Sequence, residues 1–396
     1  MNSYLYPPDR KLVTVAVISD LVTDYRVHKI CETLSAGGYR VHLIGTQNRQ
    51  SLALKPRDYQ TDRIKTWFRS TALFYAEFNI RLLSRLLFTK TDIFLGNDLD
   101  VMPAAVLAAR LKKKPLVYDS HEFFLGMAGM DKKPLRRAIW KFIEVRVFSQ
   151  LKYIYTVSES IRNLYRKSYR KKLFVVRNLP VKNPGRPELS PEEKTWIASI
   201  DERIPQNKNL LIMQGAGINE SRGAEELVYS MIFLNPSDFH LIIIGGGDVF
   251  GKLEKMIEQH QLSEKITLIP KVPFTLLSCF TRKAHLGISI DKPSVANHKY
   301  SLPNKLFEYL HAGVPVLASR LIEQERIINE YDVGTFIEDY NPEHIAGKIK
   351  EIFSEPETLN RWKQNTCRLR EELNWENESK IVIDIFKQVE RDSVNN

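Results

Sequence analysis

The sequence predicts an α/β protein made of two Rossmann-like domains. Residues 11–19 form an apolar, β-branched run of strand length, and the segment that follows carries apolar residues at helical spacing. The same alternation starts again at residues 210–214, after residues 179–209, which are rich in Pro and Asn. Because alternating strands and helices are typical of doubly wound parallel sheets, the two series indicate two domains.

The first series has six predicted strands. Val27, Ile30 and Leu34 share one face of the first predicted helix, and Gly37 is a typical helix stop. Further helices are predicted at residues 104–111 and 135–151, and strands at residues 11–19, 41–45, 92–95, 116–118, 153–157 and 174–176.

The second series repeats this arrangement and ends in a helical tail. Pro303 is predicted at the first position of one helix, and two tail helices meet near Asn374 and Trp375. Strands are predicted at residues 210–214, 240–244, 266–269, 286–290 and 314–318, with other helices at residues 249–260 and 275–284.

Composition indicates a globular protein. With 396 residues, of which 43% are hydrophobic, the chain is long enough for two domains. Its first twelve residues lack the apolar core of a signal peptide, and no run approaches the roughly 20 apolar residues of a membrane span, so we expect a cytoplasmic location. Cys31, Cys279 and Cys367 are widely separated and form no metal or redox motif.

The charge is unevenly distributed. Residues 1–185 hold 33 Lys and Arg against 15 Asp and Glu, whereas the remaining residues hold 25 against 32. A basic domain can bind nucleic acid, anionic lipid or an anionic substrate, and a solvated basic face is an equal alternative. The chain carries no nucleic-acid-binding motif, so we do not expect a nucleic-acid partner. The amphipathic segment 135–151 is either an interfacial helix or an ordinary packed helix.

Residues 289–319 contain a candidate phosphate and ribose site. Between two predicted strands, a helix begins at Pro303 and stops at Gly313, and it carries Asn304 and Glu308 one turn apart on one face. Backbone N–H groups at a helix start favour phosphate, and a carboxylate one turn above them could accept hydrogen bonds from a ribose. An ordinary solvated helix face is the alternative.

The segment PSVANHKYSLPNKLFEYLHAGVPVLAS resembles the donor site of the glycosyltransferase family 4 group, retaining enzymes of the GT-B fold with two Rossmann-like domains facing each other across a cleft. The resemblance implies that Glu308 binds the ribose hydroxyls. The family has a second Glu eight residues earlier, which contacts the donor sugar, and Tyr300 occupies that position here.

The resemblance extends to the diphosphate-binding loop, GAGINESRGAEELV. Arg222 stands where the family has a Lys before glycine, and Ala216 stands where it has an earlier Arg. A guanidinium can bind phosphate oxygens bidentately. The predicted donor-binding residues are Gly217, Arg222, Gly245, Gly246, Tyr300, Ser301, Leu302, Pro303, Asn304, Lys305 and Glu308, although a tight turn alone would also explain the glycines.

A second group of candidates follows strands of the first domain, where open α/β sheets bind ligands. The segment DSHEFF resembles the family segment whose His lies beside the reacting carbon, which makes His121 a predicted catalytic residue together with Arg222 and Glu308. An imidazole there could assist acceptor deprotonation or hold a sugar hydroxyl. The predicted acceptor-side residues are Asp24, Arg26, Asn97, Asp98 and His121.

We therefore expect a glycosyltransferase that moves a sugar from a UDP- or GDP-linked donor to a glycan or lipid-linked glycan, with retention and without a metal. The predicted boundaries are an acceptor domain at 1–185, a linker at 186–207, a donor domain at 208–373 and a helix at 374–396 that crosses back. An anionic membrane surface is a candidate partner, with the protein peripheral on the inner face of the cytoplasmic membrane. A nucleotide-sugar epimerase and a non-catalytic nucleotide-sugar-binding protein are the alternatives.

Overall fold

The computed structural model describes residues 10–49, 51–68, 71–185 and 188–394. The chain forms two compact units. The first consists of the described residues up to Asn178 together with those from Asn377 onward, and the second is Leu179–Glu376. Residues 186 and 187, where the predicted linker begins, lie outside the described residues, as do residues 1–9 at the start of the chain.

The first unit contains a parallel seven-stranded sheet. Its strand order is β3-β2-β1-β4-β5-β6-β7, so the chain moves outward in both directions from β1. These strands are β1 Leu12–Asp20, β2 Arg40–Gln47, β3 Gln60–Lys65, β4 Ile93–Asn97, β5 Leu116–Ser120, β6 Tyr153–Thr156 and β7 Phe174–Val175. The intervening helices are α1 Tyr25–Ala36, α2 Thr71–Phe88, α3 Met102–Lys112, α4 Pro134–Gln150 and α5 Glu159–Tyr169.

The second unit contains a parallel six-stranded sheet of order β10-β9-β8-β11-β12-β13. Its strands are β8 Asn209–Gly215, β9 Phe239–Gly245, β10 Ile266–Pro270, β11 Leu286–Ser289, β12 Val316–Ser319 and β13 Gly334–Ile337. The helices are α6 Pro191–Asp201, α7 Ala224–Ser230, α8 Phe250–Gln259, α9 Phe274–Thr281, α10 Ala296–Tyr300, α11 Asn304–His311, α12 Ile322–Tyr331, α13 Pro342–Ser354 and α14 Pro356–Glu372.

The last helix, α15 (Trp375–Val394), packs almost entirely in the first unit. Phe386 contacts the ring of Tyr39 with the centroids 5.7 Å apart, and Glu378 binds both the backbone N–H and the guanidinium of Arg177. The first unit is therefore assembled from both ends of the described chain.

Both sheets have helices on each face, which explains the apolar character of their central strands. Ile242 and Ile243, adjacent on β9, are both fully buried although they point to opposite faces. The strand order reverses between β1 and β4 in the first sheet and between β8 and β11 in the second, and the carboxyl edge at such a point is where open α/β sheets bind ligands. The architecture confirms the predicted α/β class with two Rossmann-like domains.

The segment before α11 differs from the predicted elements in two details. Pro303 is the N-cap of α11 rather than its first residue, with φ −70° and an extended ψ of 133°. The predicted loop before it contains the short helix α10.

The predicted linker contains the helix α6. A capping box between Ser190 and Glu193 closes its start, and Ile200 on that helix joins the core of the second unit.

Candidate active site

A buried carboxylate organises the carboxyl edge of the second sheet. Asp291 is the second residue after β11, and its two oxygens lie 2.9 Å from Nζ of Lys305 and 3.1 Å from Nη1 of Arg222. Burial alone would raise the pKa of Asp291, but Lys305 and then Arg222 outweigh it and hold that pKa below its usual value. The structure thus brings together two of the predicted donor-binding cations on one anion, leaving a net charge of +1 among the three.

Glu308 lies on α11, and its carboxylate is held in place from the sheet. Nε2 of Gln214, at the end of β8, donates a 2.6 Å hydrogen bond to Oε2 of Glu308. The hydroxyl of Thr281 in turn donates to Oε1 of Gln214 at 2.7 Å, and the backbone N–H of Gln214 donates to the hydroxyl of Tyr309 at 2.9 Å. This chain of bonds fixes a partly exposed carboxylate at the edge where ligands bind.

The glycine loops after β8 and β9 lock against each other. The N–H of Ile218 donates to the carbonyl of Gly246 at 2.5 Å, and the N–H of Asp248 donates to Asn219 at 3.1 Å. A Cβ at Gly245, which has φ 155°, would lie only 2.0 Å from the carbonyl oxygen of Gly215. Gly245 is therefore required by packing within the protein itself.

The other two predicted glycines, Gly246 and Gly217, have more space around the position of an added Cβ. A Cβ at Gly246 would find its nearest neighbour 3.8 Å away, at Cβ of Lys271, and one at Gly217 would lie 3.2 Å from Nδ2 of Asn219. The packing of this loop does not require the absence of a side chain at position 246. That position leaves room for close approach to the backbone.

The segment before α11 differs in part from the expected phosphate cradle. The N–H of Ser301 donates to the carbonyl of Asn297 within the preceding turn at 2.8 Å, so this predicted donor is already used. Pro303 has no N–H to offer. Tyr300 is partly buried, with Nζ of Lys299 5.7 Å from its ring centroid. The remaining predicted residues of the segment are Leu302, which is buried, and Asn304, which is exposed.

In the first unit, β4 and β5 bring His121 against three polar side chains. Nε2 of His121 lies 3.1 Å from Oδ2 of Asp119 and 3.3 Å from Oδ1 of Asn97, and its Nδ1 lies 3.3 Å from Oδ2 of Asp98. The backbone N–H of His121 also donates to Asp98 at 2.8 Å. Asn97 is anchored to the carbonyl of Ala16 in β1 at 3.0 Å. Each imidazole nitrogen therefore faces a carboxylate.

This arrangement holds His121 as a cation. Burial alone would lower its pKa, but Asp98 and Asp119 outweigh that effect and raise the pKa of His121 to about 9. A protonated imidazole has two N–H donors and no lone pair, so at neutral pH it cannot accept a proton. Acceptor deprotonation would require the neutral imidazole, so that role stays a prediction, as does the holding of a sugar hydroxyl.

Arg26 and Asp24 are committed to contacts within the first unit. The buried Arg26 guanidinium binds Asp119 through Nε at 3.2 Å and Nη2 at 2.8 Å, and it also donates to the carbonyl of Val176 at 3.1 Å. Asp24 caps α1 by accepting from the N–H of Val27 at 3.0 Å. Arg26 thus forms a buried ion pair that supports the His121 network, and its place near the phosphates or the acceptor stays a prediction.

Sequence reasoning missed two residues of the second unit, Asp291 and Gln214. Each is polar and lies at the carboxyl end of an apolar strand: Gln214 is the last residue but one of β8, and Asp291 is the second residue after β11. The same rule selected Asn97 and Asp98 in the first domain, so applying it to β8 and β11 would have identified both.

Two searches of the described residues concern metals and membranes. No three His, Cys, Asp or Glu side chains in the described part of the chain come together as a metal site. None of the described helices combines the length and apolar character needed to span a membrane.

Family models match both halves of the chain. The model described as Glycosyltransferase Family 4 matches residues 24–179, and the model described as Glycosyl transferases group 1 matches residues 195–368. The chain belongs to the family 4 glycosyltransferases. Between them, the two matches include His121 of the first unit and Arg222, Asp291 and Glu308 of the second. The comparison with curated proteins gave no significant match.

Solved structures resemble this glycosyltransferase over nearly its whole length. Sucrose-phosphate synthase from Thermosynechococcus elongatus is 13% identical, with a TM-score of 0.77 over 96% of this chain and 99% of its own. HepE of Anabaena in complex with UDP-glucose is 11% identical, with a TM-score of 0.69 over 98% and 100%. A UDP-N-acetylglucosamine 2-epimerase is 14% identical, with a TM-score of 0.61 over 94% of each chain. At these identities the likeness shows the GT-B fold.

Proposed function

We propose that the glycosyltransferase uses a nucleotide-sugar donor bound at the carboxyl edge of the second sheet. The observation that carries the proposal is the pair of cations, Arg222 and Lys305, fixed on the buried Asp291. A diphosphate that enters this site meets two positive charges whose positions are already set. The UDP-glucose bound by HepE of Anabaena supports the same class of donor here.

Glu308 is proposed to bind the ribose. Its carboxylate can accept hydrogen bonds from the two ribose hydroxyls, and Gln214 and Thr281 restrict its orientation before the ligand arrives. The room beside Gly246 suits close approach of the donor to the backbone. Tyr300, which stands at the position of the family's sugar-contacting Glu, would face the sugar with a phenol instead of a carboxylate.

The main electrostatic task in sugar transfer is to stabilise the departing nucleoside diphosphate. Arg222 and Lys305 supply that charge, so we propose that no metal is needed. Asp291 is neutralised by these two cations and Glu308 is bound by Gln214, so neither is placed as a nucleophile for a covalent intermediate. Retention by front-face attack, with the diphosphate taking the acceptor proton, is the proposed course.

The first unit is proposed to bind the acceptor, a glycan or lipid-linked glycan. His121, held as a cation between Asp98 and Asp119, would there act as a fixed positive charge that binds an anionic or hydroxyl group. We also propose that the enzyme works while associated with the inner face of the cytoplasmic membrane. The excess of Lys and Arg over Asp and Glu in residues 1–185 supports this location.

Calorimetry with UDP, GDP and their sugars tests the donor site. We expect one nucleotide to bind, with affinity lowered by about tenfold or more in Glu308→Ala and in Arg222→Ala, because each loses charge-assisted hydrogen bonds. Glu330→Ala and Arg282→Ala, which remove exposed charges in the same unit, should bind as the unaltered protein does. Unchanged affinity in both site variants would contradict the assignment.

The alternatives are separated by incubating the bound donor with and without acceptors. Conversion of the donor sugar in the absence of any acceptor would indicate an epimerase. Binding of a nucleotide sugar without hydrolysis or transfer to any acceptor would indicate a non-catalytic binding protein. Transfer that survives chelation with EDTA would support the metal-free mechanism, and transfer abolished by EDTA and restored by a divalent cation would contradict it.

A further inference from the structure

Helix α4 of the first unit packs against the protein through one face. Trp140 contacts the rings of Tyr75 and Phe124, with centroids 5.3 Å and 4.8 Å away. About two turns further along, Val147 and Phe148 are buried, and Phe148 stacks on Tyr169 at 4.2 Å. These contacts bury the inner face of the helix, so its packing in the first unit does not explain apolar residues on the opposite face.

The opposite face of α4 is nevertheless apolar and exposed. Leu135, Ile139, Phe142 and Val145 follow one another at intervals of four, three and three residues, so they form one stripe along the helix. Their exposed fractions are 76%, 51%, 61% and 45%. We call these four residues the α4 outer face.

The surroundings of the α4 outer face are strongly basic. Residues 132–152 contain seven Lys and Arg but a single acidic residue, Glu144, which is buried against Tyr169. The guanidinium of Arg146 lies over the ring of Phe142, 5.0 Å from its centroid. Two copies meeting through this face would bring the like charges together, which disfavours a second copy as the occupant.

The neighbouring helix α3 also carries exposed apolar residues. Leu107 and Leu111 of α3, one turn apart, are exposed, and α3 packs against α4. Between the carboxyl ends of the two helices lies a cavity of about 450 Å³. Its lining combines basic side chains with apolar ones: Arg110, Lys114 and Lys152 with Val106, Ala109 and Leu116.

We propose that the α4 outer face docks the protein on an anionic phospholipid bilayer, with the helix lying in the plane of the interface. Apolar side chains enter the acyl boundary while the flanking Lys and Arg meet lipid phosphates, which is the arrangement of an interfacial amphipathic helix. The cavity between α3 and α4 accepts one anionic headgroup. The inference rests on the proposed function in one respect, which is that docking would bring the enzyme to a lipid-linked acceptor. Docking itself needs no nucleotide-sugar donor.

Vesicle sedimentation of the full chain tests the proposal. The probes are vesicles of phosphatidylcholine alone and of phosphatidylcholine mixed with phosphatidylglycerol. We expect binding to the mixed vesicles that weakens with added salt, and little binding to phosphatidylcholine. The double variant Ile139→Ser/Phe142→Ser should reduce the partition coefficient by about tenfold or more, because its apolar side chains no longer insert.

A matched control is available in the second unit. Ile232 and Phe233 are exposed to 43% and 44%, so Ile232→Ser/Phe233→Ser removes the same residue types away from α4 and should leave vesicle binding unchanged. Thermal unfolding should be near that of the unaltered protein for both double variants, since all four side chains are exposed. Arg136→Glu/Arg146→Glu should also weaken binding to the mixed vesicles by about tenfold or more.

Several results would overturn the proposal. The first is no binding of the unaltered protein to the mixed vesicles. The second is a control variant that loses as much vesicle binding as Ile139→Ser/Phe142→Ser. The third is an unaltered protein that is a dimer and that Ile139→Ser/Phe142→Ser converts to a monomer, which would make the α4 outer face a self-interface. Sedimentation is measured without nucleotide and donor affinity without lipid. Failure of docking and failure of the donor assignment are therefore separate observations.

Discussion

Nζ of Lys305 lies 2.9 Å from Oδ1 of Asp291, although the two residues sit on different elements, one on α11 and the other just after β11. Because Asp291 is almost fully buried, its carboxylate holds the lysine ammonium at the sheet edge. Arg222 completes the cluster from the loop before α7. The carboxylate thus positions both proposed diphosphate-binding cations.

Asp291→Asn should destabilise the second unit and make its stability depend on ligand. Removal of the negative charge leaves Lys305 and Arg222 uncompensated, which should lower the free energy of unfolding by about 3 kcal/mol. A bound nucleoside diphosphate supplies the missing charge, so UDP or GDP should raise the melting temperature of this variant more than that of the unaltered protein. Asp339→Asn, at an exposed position, is the control. Equal ligand-induced shifts in all three proteins would argue against the cluster as a diphosphate site.

The two neighbouring glycines after β9 should respond differently to alanine. Gly245→Ala places a methyl group 2.0 Å from the carbonyl oxygen of Gly215, so we expect a loss of stability of at least about 1 to 3 kcal/mol. Gly246→Ala has its nearest neighbour 3.8 Å away and should fold normally, but its methyl group should weaken nucleotide-sugar binding if the donor approaches there. Melting curves and calorimetry measure the two effects. A Gly246→Ala protein with full donor affinity would exclude that approach.

His121 should titrate far from the range of an ordinary histidine. Its pKa is raised from 6.5 to about 9, so the stabilisation it gives is fully present below about pH 6.5 and is lost as the pH rises through 9. The free energy of unfolding should therefore fall over that window, and His121→Gln should flatten the fall. Nitrogen chemical shifts of the imidazole provide a direct check, and an imidazole that is neutral at pH 7.5 would contradict the cationic state.

The buried pair of Arg26 and Asp119 should be a major stabilising contact of the first unit. Arg26→Ala leaves a buried carboxylate beside His121 with one cation fewer, and we expect a loss of about 3 to 5 kcal/mol. Arg26→Lys keeps the charge but cannot bind both carboxylate oxygens as a planar fork, so its loss should be smaller yet measurable. Denaturant unfolding gives both values. A fully stable Arg26→Ala protein with unchanged His121 titration would refute the supporting role.

The elements predicted well from sequence are those whose pattern is set by burial. Strands such as β9 read as continuous apolar runs because both faces are covered, and α1 was recognisable from Val27, Ile30 and Leu34. The edge strand β3 was missed because its sequence, QTDRIK, has one buried residue, Ile64. Short polar strands at an edge carry almost no periodic signal.

The candidate site was predicted less completely for a different reason. Helix spacing and the family resemblance predicted Glu308, the resemblance predicted Arg222, and a position after a strand together with the resemblance predicted His121. A residue's partners, in contrast, depend on contacts between distant segments. Arg26 is 93 positions from Asp119, and no local sequence pattern predicts that the two form a buried bidentate pair. Their contact makes Arg26 a support of the site, whereas the carboxylates of Asp98 and Asp119 raise the pKa of His121.

Helix α15 affects the order in which the two units can complete their folds during synthesis. Ile383 lies where a side chain on Gly37 would stand, and Val382, Phe386 and Val389 are buried. During synthesis, the sheet of the first unit emerges early, but the helix that covers part of its apolar surface emerges only after the whole second unit. The apolar surface that α15 covers therefore stays exposed in the nascent chain until the second unit has been synthesised. The first unit is synthesised first but completes its fold last.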